Sequence, residues 1–207
     1  MIAILEYGMG NVASIKNMFR KIGGDAMIVS SLRGRDGLTG IVLPGVGAFD
    51  NAMGKLSELG LIEDLNDFVL AKKIPFLGVC LGMQLLFESS EEGRLPGLSF
   101  VQGDVRRFSG KDFEDGKLKI PHMGWNRVSP RQGAWLSCES DEEQRFYFAH
   151  SYHVVCRDDA DVAATCHYGY DFTCAIQRGN ILATQFHPEK SHKFGLSVFN
   201  SFMSIAC

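Results

Sequence analysis

The chain has 207 residues, 45% of them hydrophobic and 22% charged, and 21 Lys and Arg stand against 24 Asp and Glu for a formal net charge of −3. That length and apolar content suffice for one buried core, so a single domain over 1–207 is expected. The near balance of charge, with no run of five like charges, excludes the electrostatic footprint of a protein that binds nucleic acid or an anionic membrane. The opening MIAILEYGMG lacks the basic lead and apolar length of an export signal, and no later stretch has the apolar length to cross a bilayer. A cytoplasmic setting is therefore expected. In it the six cysteines, at 80, 138, 156, 166, 174 and 207 with no C-x-x-C pair, are expected to be reduced, and those other than Cys80 to be small buried hydrophobes.

In chain order, IAIL (2–5) is a continuous apolar run of the kind found in strands covered on both faces. Val12, Ile15, Phe19 and Ile22 then recur at helical spacing until Gly23-Gly24 supplies a stop. AMIVS (26–30) and GIVLPG (40–45) read as further buried strands. Leu61, Leu65 and Phe68 mark one face of a helix ending near Lys73, and IPFLGV (74–79) is again a strand. This β-α-β-α order predicts an α/β fold with a mostly parallel central sheet and helices on both faces.

Beyond residue 100 the pattern changes to short β-rich runs separated by turn signals. FVQGDVRRF, WNRVSP, FYFAHSYHVVC, DVAATCHYG and TCAIQRGNILATQF predict added strands, several of them antiparallel, with QRGN (177–180) as a hairpin turn. FGLSVFNSFMSIA (194–206) returns to helical spacing through Phe194, Val198 and Phe202, predicting a closing helix.

Cys80 lies where IPFLGV gives way to the helix-like LGMQLLFE, in the pattern Gly78-x-Cys80-x-Gly82. This is the spacing of a nucleophile elbow: a crowded turn flanked by residues without Cβ atoms, projecting its central side chain above the carboxyl ends of the strands. A helix beginning after Cys80 would favour thiolate over thiol through its unpaired N–H groups and partial positive charge. The competing reading is a buried structural cysteine. A thiol nucleophile needs a base, and the base an orienting group. In ILATQFHPEKS, His187 ends a strand-like run and Glu189 follows two residues on, which in extended backbone is the same face; a solvated His-Pro-Glu turn is the alternative.

GVCLGMQ, FHPEKS, LPGVGAF and PHMGWN, spread in order over nearly the whole chain, resemble the class I, triad-type glutamine amidotransferases. The resemblance is greatest to the branch whose members are glutaminase subunits serving a (β/α)8 cyclase in histidine biosynthesis. It implies a flavodoxin-like core, with Cys80 as nucleophile, His187 as general base and acid, and Glu189 as orienting carboxylate. Glutamine would be hydrolysed through a γ-glutamyl thioester and the ammonia passed to a synthase partner in a heterodimer, with no cofactor and no metal. The oxyanion would be held by the N–H of Leu81 and by the strand carrying Val46 and Gly47. Gln84 and the backbone at Ser151 and Tyr152 would hold the substrate, and Gly10, Asn11, Trp125 and Lys190 would face the partner.

Two other readings exist. YGYDFTCAIQRGN and EKSHKFG resemble a paralogous branch that supplies ammonia to enzymes modifying surface-polysaccharide sugars, which leaves the triad unchanged but alters the acceptor. YGMGNVA (7–13) fits G-x-G-x-x-A after a first strand, the outline of a dinucleotide-binding loop, but AMIVSS ends in serines where that site needs an acid.

Overall fold

Four continuous apolar runs lie side by side at the centre of the computed structural model, which describes residues 1–136 and 143–206. Cys138 and Cys207 lie outside the described residues. Strands β1 (Ile2–Leu5), β2 (Ala26–Val29), β3 (Gly40–Gly45), β4 (Phe76–Cys80) and the much later β12 (Ile181–Thr184) stand in the order β2-β1-β3-β4-β12, every neighbouring pair parallel. β2, at the edge of the sheet, buries only Val29, against the buried strand expected from AMIVS, while all residues of β1, β3, β4 and β12 are buried. Their alternate side chains feed two separate cores, which explains why they read as unbroken apolar runs.

Ala3, Leu5, Ile41, Leu43 and Phe76 point to one face, where they meet α2 (Phe49–Glu58) and α3 (Leu61–Leu65) through Phe49, Leu56, Leu61 and Leu65. Ile2, Ile4, Val42, Leu77 and Leu182 point to the other, under α1 (Val12–Lys21) and α5 (His192–Ala206). There Phe19 packs edge-on against Phe199 with ring centroids 4.9 Å apart. The flavodoxin-like α/β core expected from the sequence is present, with helices on both faces.

The second half extends this sheet. β11 (Tyr170–Arg178) turns back through Gly179 and Asn180 to run antiparallel to β12, as QRGN predicts. β10 (Val162–Tyr168), β7 (His122–Pro130) and β8 (Arg145–His150) continue outward in antiparallel pairs. β9 (Tyr152–Cys156) joins β11 to β6 (Gly103–Arg107), which in turn pairs with the two-residue β5 (Ser89–Ser90).

Three local expectations need correction. The helix after Cys80 is a single turn, α4 (Leu81–Gln84), because the Leu85 and Leu86 carbonyls accept from Leu98, Phe100 and Val101 instead of continuing the helix. A one-turn helix carries little of the dipole invoked for the thiolate. The segment after α3 continues to Ala71 as a π-helical turn. Finally, Cys156 is only partly buried, whereas Cys166 and Cys174 are buried; all three are free thiols.

Candidate active site

Three adjacent parallel strands end together, and each delivers one piece of the site. Gly45 at the end of β3 pairs with Cys80 at the end of β4, and Thr184 at the end of β12 pairs with Val79. Cys80 sits at φ 55 and ψ −109, a backbone conformation that non-glycine residues rarely adopt. The glycine at 82 is what permits the turn: a Cβ there would collide with the Leu43 carbonyl oxygen. The strained elbow predicted from G-x-C-x-G is thus present, with its thiol buried at the floor of a cavity.

β12 brings in the remaining chemistry. The backbone of His187 is held on both sides, its N–H donating to Tyr147 O at 2.9 Å and its carbonyl accepting from Ser191 Oγ at 2.6 Å. Its Nδ1 lies 2.8 Å from Glu189 Oε1, and both side chains are buried. The contact is made by a 3-10 turn over Pro188–Lys190, not by the extended backbone expected from the sequence. A proline at the first position of the turn favours that course. Burial works against charge on His187, but its hydrogen bonds to Cys80 and Glu189, with the charges of both, outweigh it and push the pKa up to about 10. His187 thus stands beside Cys80 with its Nδ1 fixed by a carboxylate. The second oxygen of that carboxylate, Glu189 Oε2, is buried with no hydrogen-bond partner.

The cavity above Cys80 has a volume of about 350 Å³. Val46, Gly47, Leu81, Gln84, Ser151, Tyr152 and Lys190 all line it with Cys80 and His187, so residues read from separate stretches of sequence meet in one place. Gly47, at φ +104, follows the exposed Val46. Just before them the Tyr7 hydroxyl donates to Pro44 O at 2.7 Å, and burial pushes the pKa of that hydroxyl up, keeping it a donor. Gln84 Nε2 donates to Tyr152 O and to Gln185 Oε1, each at 3.0 Å, which leaves its carbonyl oxygen as the atom it can offer a ligand.

Several lining or supporting residues were not singled out from the sequence. Gln185, fully buried, directs Nε2 at Cys80 Sγ over 3.8 Å; its position two residues before His187 was the available signal. His150 lines the wall between β8 and β9, and Glu92 lines the rim while accepting from the Phe49 N–H at the start of α2. No local pattern marks either one.

Trp125 and Met123 lie on one face of β7 and are 47% and 64% exposed; Met123 reaches the cavity mouth, as does Val46, itself 45% exposed. The Trp125 ring stacks on His192 at 5.6 Å and 2°. Gly10 and Asn11 are at the surface outside the cavity lining. Gly10 backs onto Pro44, and the Asn11 side chain caps α1 by accepting from Ser14 N at 3.1 Å. Close packing and capping thus account for the glycine loop that fits a dinucleotide motif. Among the described residues there is no group of three or more His, Cys, Asp or Glu side chains able to hold a metal ion, and no helix is long and apolar enough to cross a membrane.

A cysteine, a histidine and a carboxylate thus meet on an elbow above a parallel sheet, and the chain belongs to the class-I glutamine amidotransferase family. The family model described as Glutamine amidotransferase class-I matches residues 3–205. The chain is 50% identical over 206 residues to "Imidazole glycerol phosphate synthase subunit HisH 2" of Methanococcus maripaludis, covering 100% of both chains. It is 45% identical to the HisH subunit of Leptospira interrogans and 43% identical to the protein named HisH 2 of Pseudomonas aeruginosa, in each case over 99% of this chain and 100% of the relative. Among solved structures, one described as a putative GMP synthase component from Thermoplasma acidophilum is similar with a TM-score of 0.69 and 25% identity, over 99% of this chain and 92% of that one. A second structure, described as a glutamine amidotransferase, has a TM-score of 0.74 at 18% identity, over 99% and 98%, and speaks to the fold alone.

Proposed function

We propose that this chain, as a single domain over residues 1–207, is the glutaminase subunit of an imidazole glycerol phosphate synthase. It hydrolyses L-glutamine and passes the ammonia to a (β/α)8 cyclase in a heterodimer of histidine biosynthesis. The observation that carries the reading is the buried line of Cys80, His187 and Glu189, with His187 Nδ1 2.8 Å from Glu189 Oε1. Full-length identity of 43–50% to subunits bearing that synthase's name supports the choice of partner.

In this reading the Cys80 thiolate adds to the side-chain amide carbon of glutamine, and His187 gives its proton to the amide nitrogen as the C–N bond breaks and ammonia leaves. The γ-glutamyl thioester remains on Cys80. Neutral His187 then takes a proton from water; the hydroxide adds to the thioester, the C–S bond breaks, and glutamate departs with the thiolate and imidazolium restored. Glu189 keeps the imidazole oriented and steadies its charge. Each tetrahedral intermediate carries an oxyanion, for which the Leu81 N–H and the Val46–Gly47 peptide are the donors. The positive φ of Gly47 lets that peptide rotate at little cost. Gln84 offers its carbonyl oxygen to the substrate, and the Ser151–Tyr152 backbone holds the amino-acid end. Gly10, Asn11, Trp125 and Lys190 face the partner, and the uncovered Met123, Trp125 and Val46 supply apolar surface for it to bury.

The test is glutamate release from glutamine by the purified chain, alone and with the (β/α)8 cyclase of the same organism and its nucleotide ligand. Strong stimulation by cyclase and ligand is expected. If the cyclase has no effect while a glutamine-analogue affinity label still modifies Cys80, the triad stands, the cyclase assignment falls, and a sugar-modifying synthase becomes the partner to try.

A further inference from the structure

Strand β7 presents Met123 and Trp125 outward, and its opposite face carries two polar side chains into the interior: His122, which is buried, and Asn126, which is partly buried. Neither lines the substrate cavity. His122 Nδ1 lies 3.1 Å from His150 Nε2, His122 Nε2 lies 3.2 Å from Asn126 Nδ2, and His150 Nδ1 lies 2.8 Å from the Tyr152 carbonyl oxygen.

Both ends of this row dictate its proton positions. A carbonyl only accepts, so His150 must carry a proton on Nδ1 and donate it to Tyr152 O. At the far end, Asn126 Oδ1 accepts from the Arg127 N–H at 2.7 Å and its Nδ2 donates to His167 O at 2.9 Å, which fixes the amide's orientation and leaves its second N–H for His122 Nε2. His122 is then a donor through Nδ1, and His150 Nε2 is the acceptor. Every contact is satisfied in one arrangement, with both rings neutral. A proton added to His150 Nε2 would set two N–H groups face to face.

The surroundings favour that neutral arrangement. His122 is stacked between Tyr168 at 4.1 Å and Phe148 at 4.7 Å, and His150 packs against Phe108 and Phe172 at 5.2 and 5.4 Å. Burial holds the pKa of His122 down at about 4. It holds that of His150 down at about 3, with the neighbouring His122, His153 and His187 also opposing charge and the bond to Tyr152 only partly offsetting them.

The Tyr152 carbonyl also accepts from Gln84, whose second amide proton goes to Gln185, which in turn reaches Cys80. We propose that Asn126, His122 and His150 are positioning residues, a directed relay of hydrogen bonds that holds the Tyr152–Gln84 wall of the pocket in place and thereby sets the affinity for glutamine. This rests on the glutaminase reading above. It also ties the substrate wall to the strand whose other face presents Trp125.

The decisive variant is at His122, which does not itself line the cavity but hydrogen-bonds His150, which does. His122→Phe keeps the ring stack but removes the donor and strands His150 Nε2 in a dry site. In the assembled enzyme it should raise KM for glutamine about tenfold with kcat within about threefold, and His122→Asn, which restores an N–H near the Nδ1 position, should recover most of the loss. A fall in kcat at unchanged KM, wild-type behaviour of the Phe variant, or equal behaviour of the Phe and Asn variants would overturn the proposal. If the Phe variant fails to fold, nitrogen-15 imidazole spectra of the wild-type chain decide. Both rings should be neutral at pH 7 with the proton on Nδ1, and a proton on Nε2 of either ring, or a charged ring, would sink the relay. If the wild-type assembly releases no glutamate, the glutaminase reading falls and the substrate role falls with it, while the spectra still report whether the relay exists.

Discussion

The two halves of the sheet hold their parts of the site by different physics. In the parallel half, β3 and β4 are buried along their whole length, and Cys80 is held at φ 55 where the backbone of Gly82 packs directly on the Leu43 carbonyl. In the antiparallel half, β7 and β8 alternate between buried and exposed residues, and the parts that reach the pocket are placed by hydrogen bonds between side chains and carbonyls. In the proposed function the first half would supply reactive geometry and the second recognition. Substitutions in the parallel half should therefore strike kcat and folding, and those in the antiparallel half should strike substrate affinity.

The largest expected effect is at the elbow. Cys80→Ala should reduce glutamate release by about 10⁴-fold or more while the partner still makes product from ammonium salts. Loss of both activities would assign Cys80 a structural role. His187→Ala should approach that loss, whereas Glu189→Gln should retain roughly a hundredfold more activity, because an orienting group is more dispensable than the base itself. Equal losses for the two in single-turnover kinetics would mean that Glu189 does more than orient.

A smaller effect tests the steric side of the contrast. Gly82→Ala drives a methyl group into the Leu43 carbonyl oxygen and should lower stability by about 3 kcal/mol in urea denaturation. An unchanged midpoint would show that the elbow can relax, against the rigid reading of this half.

The smallest effect separates the two regions by pH. His122 and His150 have pKa values held below the unfolded value of about 6.5. Their contribution to stability is present above that value and is lost as pH falls towards 4 and 3, because the unfolded chain binds protons that the folded one refuses. His187 is shifted the other way, so its contribution is present below about 6.5 and is lost as pH rises towards about 10. Thermal unfolding between pH 4 and 9 should therefore show His122→Phe flattening the acid limb and His187→Gln the alkaline limb. Variants that shift both limbs alike would erase the distinction.

Much of this was legible in the residues. The apolar runs of β1, β3 and β4 mark buried parallel strands because two cores need side chains on both faces, and Gly78-x-Cys80-x-Gly82 marks the elbow because only hydrogen fits beside Leu43. What the local pattern misjudged were continuations: the helix after Cys80 is cut short by hydrogen bonds to the 98–101 segment, and the extended link from His187 to Glu189 gives way to a proline-led 3-10 turn closed by Lys190 N–H on His187 O.

The residues by themselves determined the α/β order, the strained elbow at Cys80 and the placing of His187 and Glu189 side by side, because spacing within a strand or a turn is set by local backbone geometry. The tertiary structure alone decided that β12 inserts beside β4, bringing Gln185 to the thiol across 105 positions, and that His122 and His150 face one another between β7 and β8. A strand's own sequence reports which of its faces is buried. It does not report which strand becomes its neighbour, since that is settled by packing among segments far apart in the chain.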